Sequence, residues 1–479
     1  MRRRHLTNLK SMVFLKSVSG FLKLSLITAI TVGIFSCSPK TAEVLLPVAP
    51  PDDFSRSGDF PAPDKWWLAF NNERLNILVD SALITNFSLN SAWQRFRASQ
   101  AILKRESSAL FPNLSGSADA EVNNRQSEFQ QSQRFRLGLY SEYEIDLWGR
   151  IGAGIEAQQL RTEAAFADYQ TSALVISAEI VRAYFQLLEA NNQLELAKEQ
   201  VEINEKMLRL IKVRFGSGQV RSVDILRQLQ LLEATREQQI HAESRVEVLE
   251  HQLAVLLGKT PQEAPLYEVE VLPKLPPLPE TGIPSELIDR RPDIRSSFKE
   301  LLAADRDLAM AISNRYPRIT LSASVSTAAY DVEDLFQDWG RSLAGNLLAP
   351  IFQGKELNAE VDRAEALKRQ RLYEYGETIL NAFREVEDAL IQEAKQAESI
   401  QSLEKQVEMT VKTNEQLRLE YLNGMSNYLD VLTALHDEQQ LRRDLLSAKL
   451  MLIEYRIALY RSLAGGFETE RQFDGLLDI

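Results

Sequence analysis

The chain has 479 residues, 55 basic against 67 acidic, a formal net charge of −12 and one Cys. Its length corresponds to about three ordinary domains, and an apolar share of 44% excludes a disordered chain. A single Cys excludes a disulfide scaffold or thiolate cluster, and the acidic balance argues against a general nucleic-acid binder, which needs a basic surface.

At the N-terminus, Arg2, Arg3, Arg4, Lys10, Lys16 and Lys23 precede an apolar run from Leu24 to Phe35, followed by Ser36-Cys37. A basic stretch, a short apolar core and a small residue before the cut describe a secretory signal peptide. A run of about 12 residues is too short for a spanning helix. Ile34-Phe35-Ser36-Cys37 resembles a bacterial lipobox, in which residues 1–36 are removed and Cys37 is acylated. The plain alternative is an ordinary signal peptide that ends near a Cys. As the sole Cys, Cys37 has no partner within the chain, and Ser38 in place of Asp matches an outer-membrane address. Residues 37–65 read as a lipidated, Pro-rich linker that ends at Trp66-Trp67.

From there the chain repeats itself. Phe111-Pro112-Asn113-Leu114-Ser115 matches Tyr316-Pro317-Arg318-Ile319-Thr320, and Gly149-Arg150 matches Gly354-Lys355, both at an offset of 205. Phe215, Gly218, Asp224 and Leu226 match Tyr421, Gly424, Asp430 and Leu432 at 206. Repeat one spans residues 66–265, a Pro-rich linker 266–291, repeat two 292–465 and a C-terminal tail 466–479.

Each repeat opens on a helical segment and then alternates. Leu114, Gly116, Ala118, Ala120 and Val122 alternate with polar neighbours, as do Phe135, Leu137, Leu139, Tyr143, Ile145 and Leu147. Ile319, Leu321, Ala323 and Val325 continue the pattern, and Trp339, Leu343, Leu347, Ala349 and Ile351 form the apolar side of a fourth segment. Two hairpins are therefore expected, at about 113–147 and 318–352. Segments of about ten residues, apolar on one face only, are the signature of transmembrane β-strands. A soluble sandwich strand also alternates. The export signal, and carboxylates at Asp119, Glu142, Glu144 and Asp146 that need a watery lumen, favour the membrane. Four strands cannot close a barrel and an open edge cannot sit in lipid, so the strands must be shared among copies.

Residues 155–215, 219–257, 377–423 and 425–464 read as long helical stretches without a strong breaker in their interiors. At about 1.5 Å per residue, a sixty-residue helix reaches roughly 90 Å. Narrow apolar seams such as Leu187, Leu188, Leu194, Val201, Leu208 and Ile211 fit helices wetted on two sides. A solid coiled-coil rod has the same periodicity but no need of lipid-facing hairpins. The helix turns fall at about 214–224 and 420–430. Gly216, Gly218 and Gly424 are candidates for the positive φ of such turns.

The motifs Ile283-Pro284-Ser285-Glu286-Leu287-Ile288-Asp289-Arg290-Arg291-Pro292-Asp293-Ile294, Tyr143-Glu144-Ile145-Asp146-Leu147-Trp148-Gly149-Arg150 and Tyr460-Arg461-Ser462-Leu463-Ala464-Gly465-Gly466-Phe467 resemble the TolC-like outer membrane factor family, in its NodT/OprM-type lipoprotein branch. Phe298 stands where the family usually has Glu, and Phe467 where Trp is common. The resemblance implies an α+β membrane protein: a homotrimer whose twelve-stranded transmembrane β-barrel continues into a long periplasmic α-helical barrel. A mixed girdle would be built from Thr260 to Pro284 and the C-terminal tail. It also implies a passive efflux duct in the outer membrane, an adaptor and an inner-membrane pump as partners, and drugs, metals or other small solutes as cargo. A duct for type I protein secretion and a structural coiled-coil lipoprotein are the alternatives. No cofactor, metal or catalytic constellation is expected.

In the family, adaptor tips dock on the helix turns, here Phe215, Gly216, Gly218 and Gly424. The Asp and Tyr that help hold such tips closed map to Asp224 and Tyr421, and an aperture-lining Asp to Asp430. The family's Arg is replaced by Ser426, with Arg221 as a substitute. Helix capping is the plain reading of both Asp. Without its signal, the chain carries 49 basic against 67 acidic residues, a balance of −18, which favours cations in a water-filled duct if the walls share it.

Overall fold

The computed structural model describes residues 47–61, 63–124, 131–263, 271–467, 469 and 471. The expected signal peptide, Cys37 and most of the first hairpin loop lie outside the described residues. The chain divides into two compact units, one holding residues 99–162 and 299–373, the other 47–98, 163–298 and 374–479. Each unit draws on both repeats.

The first unit holds four strands, β1 (Asn113–Asn124), β2 (Gln131–Ile145), β3 (Arg318–Ala329) and β4 (Gly340–Leu348). They form one antiparallel sheet in the order β1-β2-β3-β4, so β1 and β4 are its edges. Strand β4 is shorter than its alternation predicts: Trp339 precedes it, and Ala349 and Ile351 lie beyond its end. Leu343, Leu347 and Ile351 are 82%, 69% and 96% exposed. On the polar side, Asp119 faces Arg136 and Glu121 faces Arg134 across the first hairpin, opposite charges at cross-strand positions.

The motif Tyr143–Arg150 fixes the passage from strand to helix. Helix α3 (Arg150–Gly216) starts where the Asp146 carboxylate accepts the Gly152 N–H at 2.7 Å and Glu144 pairs with Arg150 at 2.8 Å. The Asp146 bond satisfies one of the first-turn amides that every helix leaves open. Trp148 stacks on Tyr316 at 4.9 Å and donates its indole N–H to the Pro317 carbonyl at 2.8 Å, which ties the junction to the start of β3.

Around this junction pack the end of α2 (Phe87–Ser107), helix α6 (Pro292–Ser313) and the start of α7 (Glu356–Leu422). Arg161 pairs with Asp307, and Asp305 lies between Arg306 at 2.7 Å and Lys368 at 2.6 Å. Burial alone would raise the Asp305 carboxyl; the two cations hold it below the usual carboxylate range.

Helices α3 and α7 each run 67 residues. They pass through Gly152, Gly154 and Gly376, where the sequence reading sets helix boundaries. A Gly in a helix interior costs about 1 kcal/mol, which long flanking turns outweigh. At Gly376 a Cβ would lie 3.1 Å from the Pro47 ring, so the missing side chain admits the N-terminal linker.

The core of the second unit gathers a short 3-10 turn, Trp66–Phe70, helix α1 (Glu73–Thr85), the middle of α3, the end of α4 (Ser222–Leu256) and the end of α8 (Tyr428–Leu463). Trp66 and Trp67 are fully buried there. An 18-residue window in α3 is long and apolar enough to cross a membrane, but 67% of it is buried against protein; its hydrophobicity serves this core.

Two buried arginines bind the linker region to the long helices. Arg456 on α8 makes two 2.7 Å bonds to Glu393 on α7 and donates to the carbonyls of Pro276 and Pro277. Arg291, between α5 (Pro284–Arg290) and α6, binds Asp293, Glu385 and the Ser462 carbonyl. Part of the expected girdle, residues 264–270, lies outside the described residues. Residues 468, 470 and 472–479 of the tail lie outside them too. Pro261–Glu263 form a short 3-10 turn, and residues 271–283 are irregular apart from a parallel bridge between Phe60 and Pro279.

Candidate functional site: the helix turns

Both turns use the same backbone device. At the end of α3, Gln219 N–H bonds to the Arg214 carbonyl and Gly218 N–H to the Phe215 carbonyl, each at 2.9 Å. At the end of α7, Met425 bonds to Glu420 at 2.8 Å and Gly424 to Tyr421 at 3.1 Å. This is the Schellman pattern, which needs a left-handed residue just past the helix. Gly218 (φ 76°) and Gly424 (φ 75°) supply it. Gly216 does not: it is the last residue of α3 and has no positive φ.

Beyond the turns, α4 and α8 begin differently. Asp224 is 5% exposed, and its carboxylate accepts the Arg221 backbone N–H at 3.2 Å. Arg221 and Arg227 flank it, each 3.7 Å away. Asp224 thus has the capping contact that its place in the first turn predicts. Asp430 is exposed. Capping there is done by Asn427, whose side-chain oxygen accepts the Asp430 N–H at 3.2 Å, while Asp430 itself takes a 3.3 Å bond from Ser426 Oγ.

Tyr421 is 5% exposed and packs on Tyr428 at 5.6 Å. The guanidinium of Arg214 lies 4.6 Å from the Tyr421 ring centre, within cation–π range, and reaches the Leu422 carbonyl at 3.4 Å. Burial pushes the Tyr421 hydroxyl up in pKa; the Arg214 charge opposes this and Asp224 adds to it. Tyr428 is likewise raised by burial, with Tyr421 and Asp224 adding to it, and it donates its hydroxyl proton to Gln228. Three buried polar atoms here lack a hydrogen-bond partner: the Tyr421 hydroxyl, Asp224 Oδ1 and Arg214 Nε. Each costs about 1–3 kcal/mol in that state, so the cluster holds an incompletely satisfied arrangement.

Sequence reasoning picks out Asp224, Tyr421, Asp430 and Arg221 but misses Arg214, Gln228 and Tyr428. It also misses the buried polar seam that continues from them along α3, α4 and α8. Asn204 bonds to Thr235 at 2.8 Å and to Gln439 at 3.2 Å, Gln228 to the Asn204 carbonyl at 3.0 Å, and Gln200 to the Gln439 carbonyl at 3.0 Å. Farther along, fully buried Glu189 accepts from Gln193 at 2.8 Å and Ser447 at 3.2 Å, with Arg245 at 3.1 Å. Most of these polar groups are paired, though Gln439 Nε2 and Glu189 Oε2 have no hydrogen-bond partner. A buried polar network favours one register of packing to the extent that it is satisfied. The spacing of Gln200 and Asn204, and of Gln228 and Thr235, at helical intervals is the available signal. Phe215, an expected docking residue, is 45% exposed beside Val213, and Met425 is 71% exposed at the other turn. Among the described residues, no cluster of three or more His, Cys, Asp or Glu is placed to hold a metal ion.

The chain is similar to known proteins over most of its length. A family model described as outer membrane efflux protein matches residues 78–259 and 283–465. The chain is 29% identical over 426 residues to the pyoverdine export outer membrane protein OpmQ of Pseudomonas aeruginosa, covering 85% of this chain and 88% of the relative. It is also 29% identical over 417 residues to the toluene efflux pump outer membrane protein TtgF of Pseudomonas putida, covering 84% and 86%. Among solved structures, the outer-membrane channel OprN superposes with a TM-score of 0.77 at 28% identity, covering 89% of this chain and 97% of the other.

Proposed function

The chain belongs to the outer membrane efflux protein family, and we propose that it is the outer-membrane duct of a tripartite efflux system. It is passive: an inner-membrane pump supplies the free energy, and a periplasmic adaptor joins the two. The cargo class is small solutes, among them drugs and metals, with selection made chiefly upstream. Relatives named for pyoverdine export and toluene efflux support a duct that serves chemically different loads. The single observation that carries the reading is a four-stranded sheet with two unpaired edges, joined to helices of 67 residues.

An open sheet edge is not tolerated in lipid, so copies must join edges. Three copies give twelve strands, enough to enclose an aqueous channel where about eight would not. The helices then lie in the periplasm, because each two-strand excursion returns the chain to the side on which Cys37 is acylated.

The turns form the gate and the adaptor-docking end. Tyr421, Asp224 and Arg214 hold the closed arrangement within one copy, with Arg221 and Arg227 replacing the charge that Ser426 lacks. Exposed Asp430, relieved of capping by Asn427, lines the aperture. Asp430→Ala is therefore expected to raise the resting conductance of the reconstituted assembly severalfold while leaving helix content unchanged. An unaltered conductance would remove Asp430 from the gate.

A further inference from the structure

The two open sheet edges carry a definite mutual register, which the internal duplication allows to be calculated. In the first hairpin every paired couple has residue numbers adding to 255, and in the second to 666. The difference, 411, is met when β1 maps onto β3 by 205, the offset of Pro112 and Pro317, and β2 onto β4 by 206. The second repeat is one residue shorter between Ile351 and Gly354 than the first between Ile145 and Gly149, where the offset returns to 205. Each offset keeps the predominantly apolar face of one strand on that of the other, with Phe135 onto Arg341 and Val122 onto Thr327 as exceptions. Between the hairpins, β2 pairs with β3 such that numbers add to 464.

The same junction is missing once per chain, between β4 and the β1 of a neighbour. Applying the two offsets to the β2–β3 register adds 206 and removes 205. We propose that β4 of one copy pairs antiparallel with β1 of a second copy such that residue numbers add to 465. This rests on the reading above that several copies close one barrel.

The side chains fit this register. Directly opposite residues in an antiparallel pair share a face. The proposed couples on the apolar face are Leu343 with Val122, Gly345 with Ala120 and Leu347 with Ala118 of the neighbour. A register shifted by one in either direction would set each apolar residue of one strand opposite a polar residue of the other, turning one of them to the wrong side. The register also accounts for Ile351, which is 96% exposed past the end of β4. Its first-repeat counterpart, Ile145, is paired with Ile319. Ile351 falls opposite Leu114 of the neighbour, itself 72% exposed. Residues 349–351 thus extend β4 only when a second copy is present.

Cysteine pairs test this in the full chain, with the native chain as the control for Cys37. Directly opposite Cα atoms lie about 4.5–5.5 Å apart, within disulfide reach, whereas diagonal partners at about 7–8 Å lie beyond it. The proposal predicts that Val122→Cys with Leu343→Cys, or Glu121→Cys with Ala344→Cys, yields covalent multimers on mild oxidation in membranes. One of these couples is a non-hydrogen-bonded pair, the geometry closer in Cα distance. The shifted couples Ala120→Cys with Leu343→Cys, and Val122→Cys with Gly345→Cys, should give at most one-tenth as much. Multimers from a shifted couple in place of the direct ones, or failure of every couple in a particle that is still oligomeric, would overturn the register and keep the shared barrel. No multimer from any couple, with a monomeric particle in detergent, would overturn the shared barrel itself.

Discussion

Replacing Arg456 with Ala should destabilise the second unit by about 3–5 kcal/mol, the range for removing one partner of a buried ion pair. Arg456 is 3% exposed. Its fork takes both oxygens of Glu393 at 2.7 Å and the carbonyls of Pro276 and Pro277. Burial by itself would lower its pKa, but Glu393 keeps it above the ordinary arginine value. The substitution leaves Glu393, 13% exposed in its side chain, without its counter-charge and two proline carbonyls without a donor. Thermal unfolding followed by helical circular dichroism should shift down by several degrees. Arg456→Lys should recover only a minor part, because an ammonium cannot bridge a carboxylate and two carbonyls in one plane. Full recovery with Lys would mean that charge alone matters.

Trp66→Ala should cost a similar amount, about 3–5 kcal/mol, through the cavity left by a fully buried ring. Trp66 stacks on Tyr460 at 5.9 Å, meets Trp67 and Phe70 edge-on at 6.0 and 6.5 Å, and donates to Ser177 Oγ at 3.3 Å. Trp67 offers a contrast. It is equally buried, but its indole N–H has no hydrogen-bond partner. Trp67→Phe should therefore cost less than Trp66→Phe, since it also relieves a desolvated donor. Denaturant midpoints of the three variants check this order. A Trp67→Phe variant weaker than Trp66→Phe would contradict it.

The strands are legible in the sequence because one face of each is largely apolar, as Leu114 to Val122 illustrates. The end of β4 is not, since Ala349 and Ile351 carry the pattern of a strand that finds no partner within the chain. The helix turns are legible from Gly218 and Gly424, whose positive φ few other residues tolerate. Gly152, Gly154 and Gly376 mislead, because the helix propensity of one residue is weak beside the packing of a long helix. At the turns, Asp224 and Tyr421 come through resemblance alone. Arg214, Gln228 and Tyr428 escape notice because a polar residue on a long helix reads alike whether it faces water or a neighbouring helix. Only the positions of Gln228, Asn204 and Gln439 against one another reveal the buried seam.

The central claim is that copies of this chain enclose a water-filled duct. Its most direct test is the current carried by purified, signal-processed protein in a planar bilayer under a potassium chloride gradient. Such a duct predicts discrete conductance steps and, where its walls share the excess of 67 acidic over 49 basic residues, a reversal potential favouring cations, an effect that weakens as salt screens the walls. A protein that inserts without conducting even when Asp430 is replaced by Ala, or one that favours anions, would contradict the account.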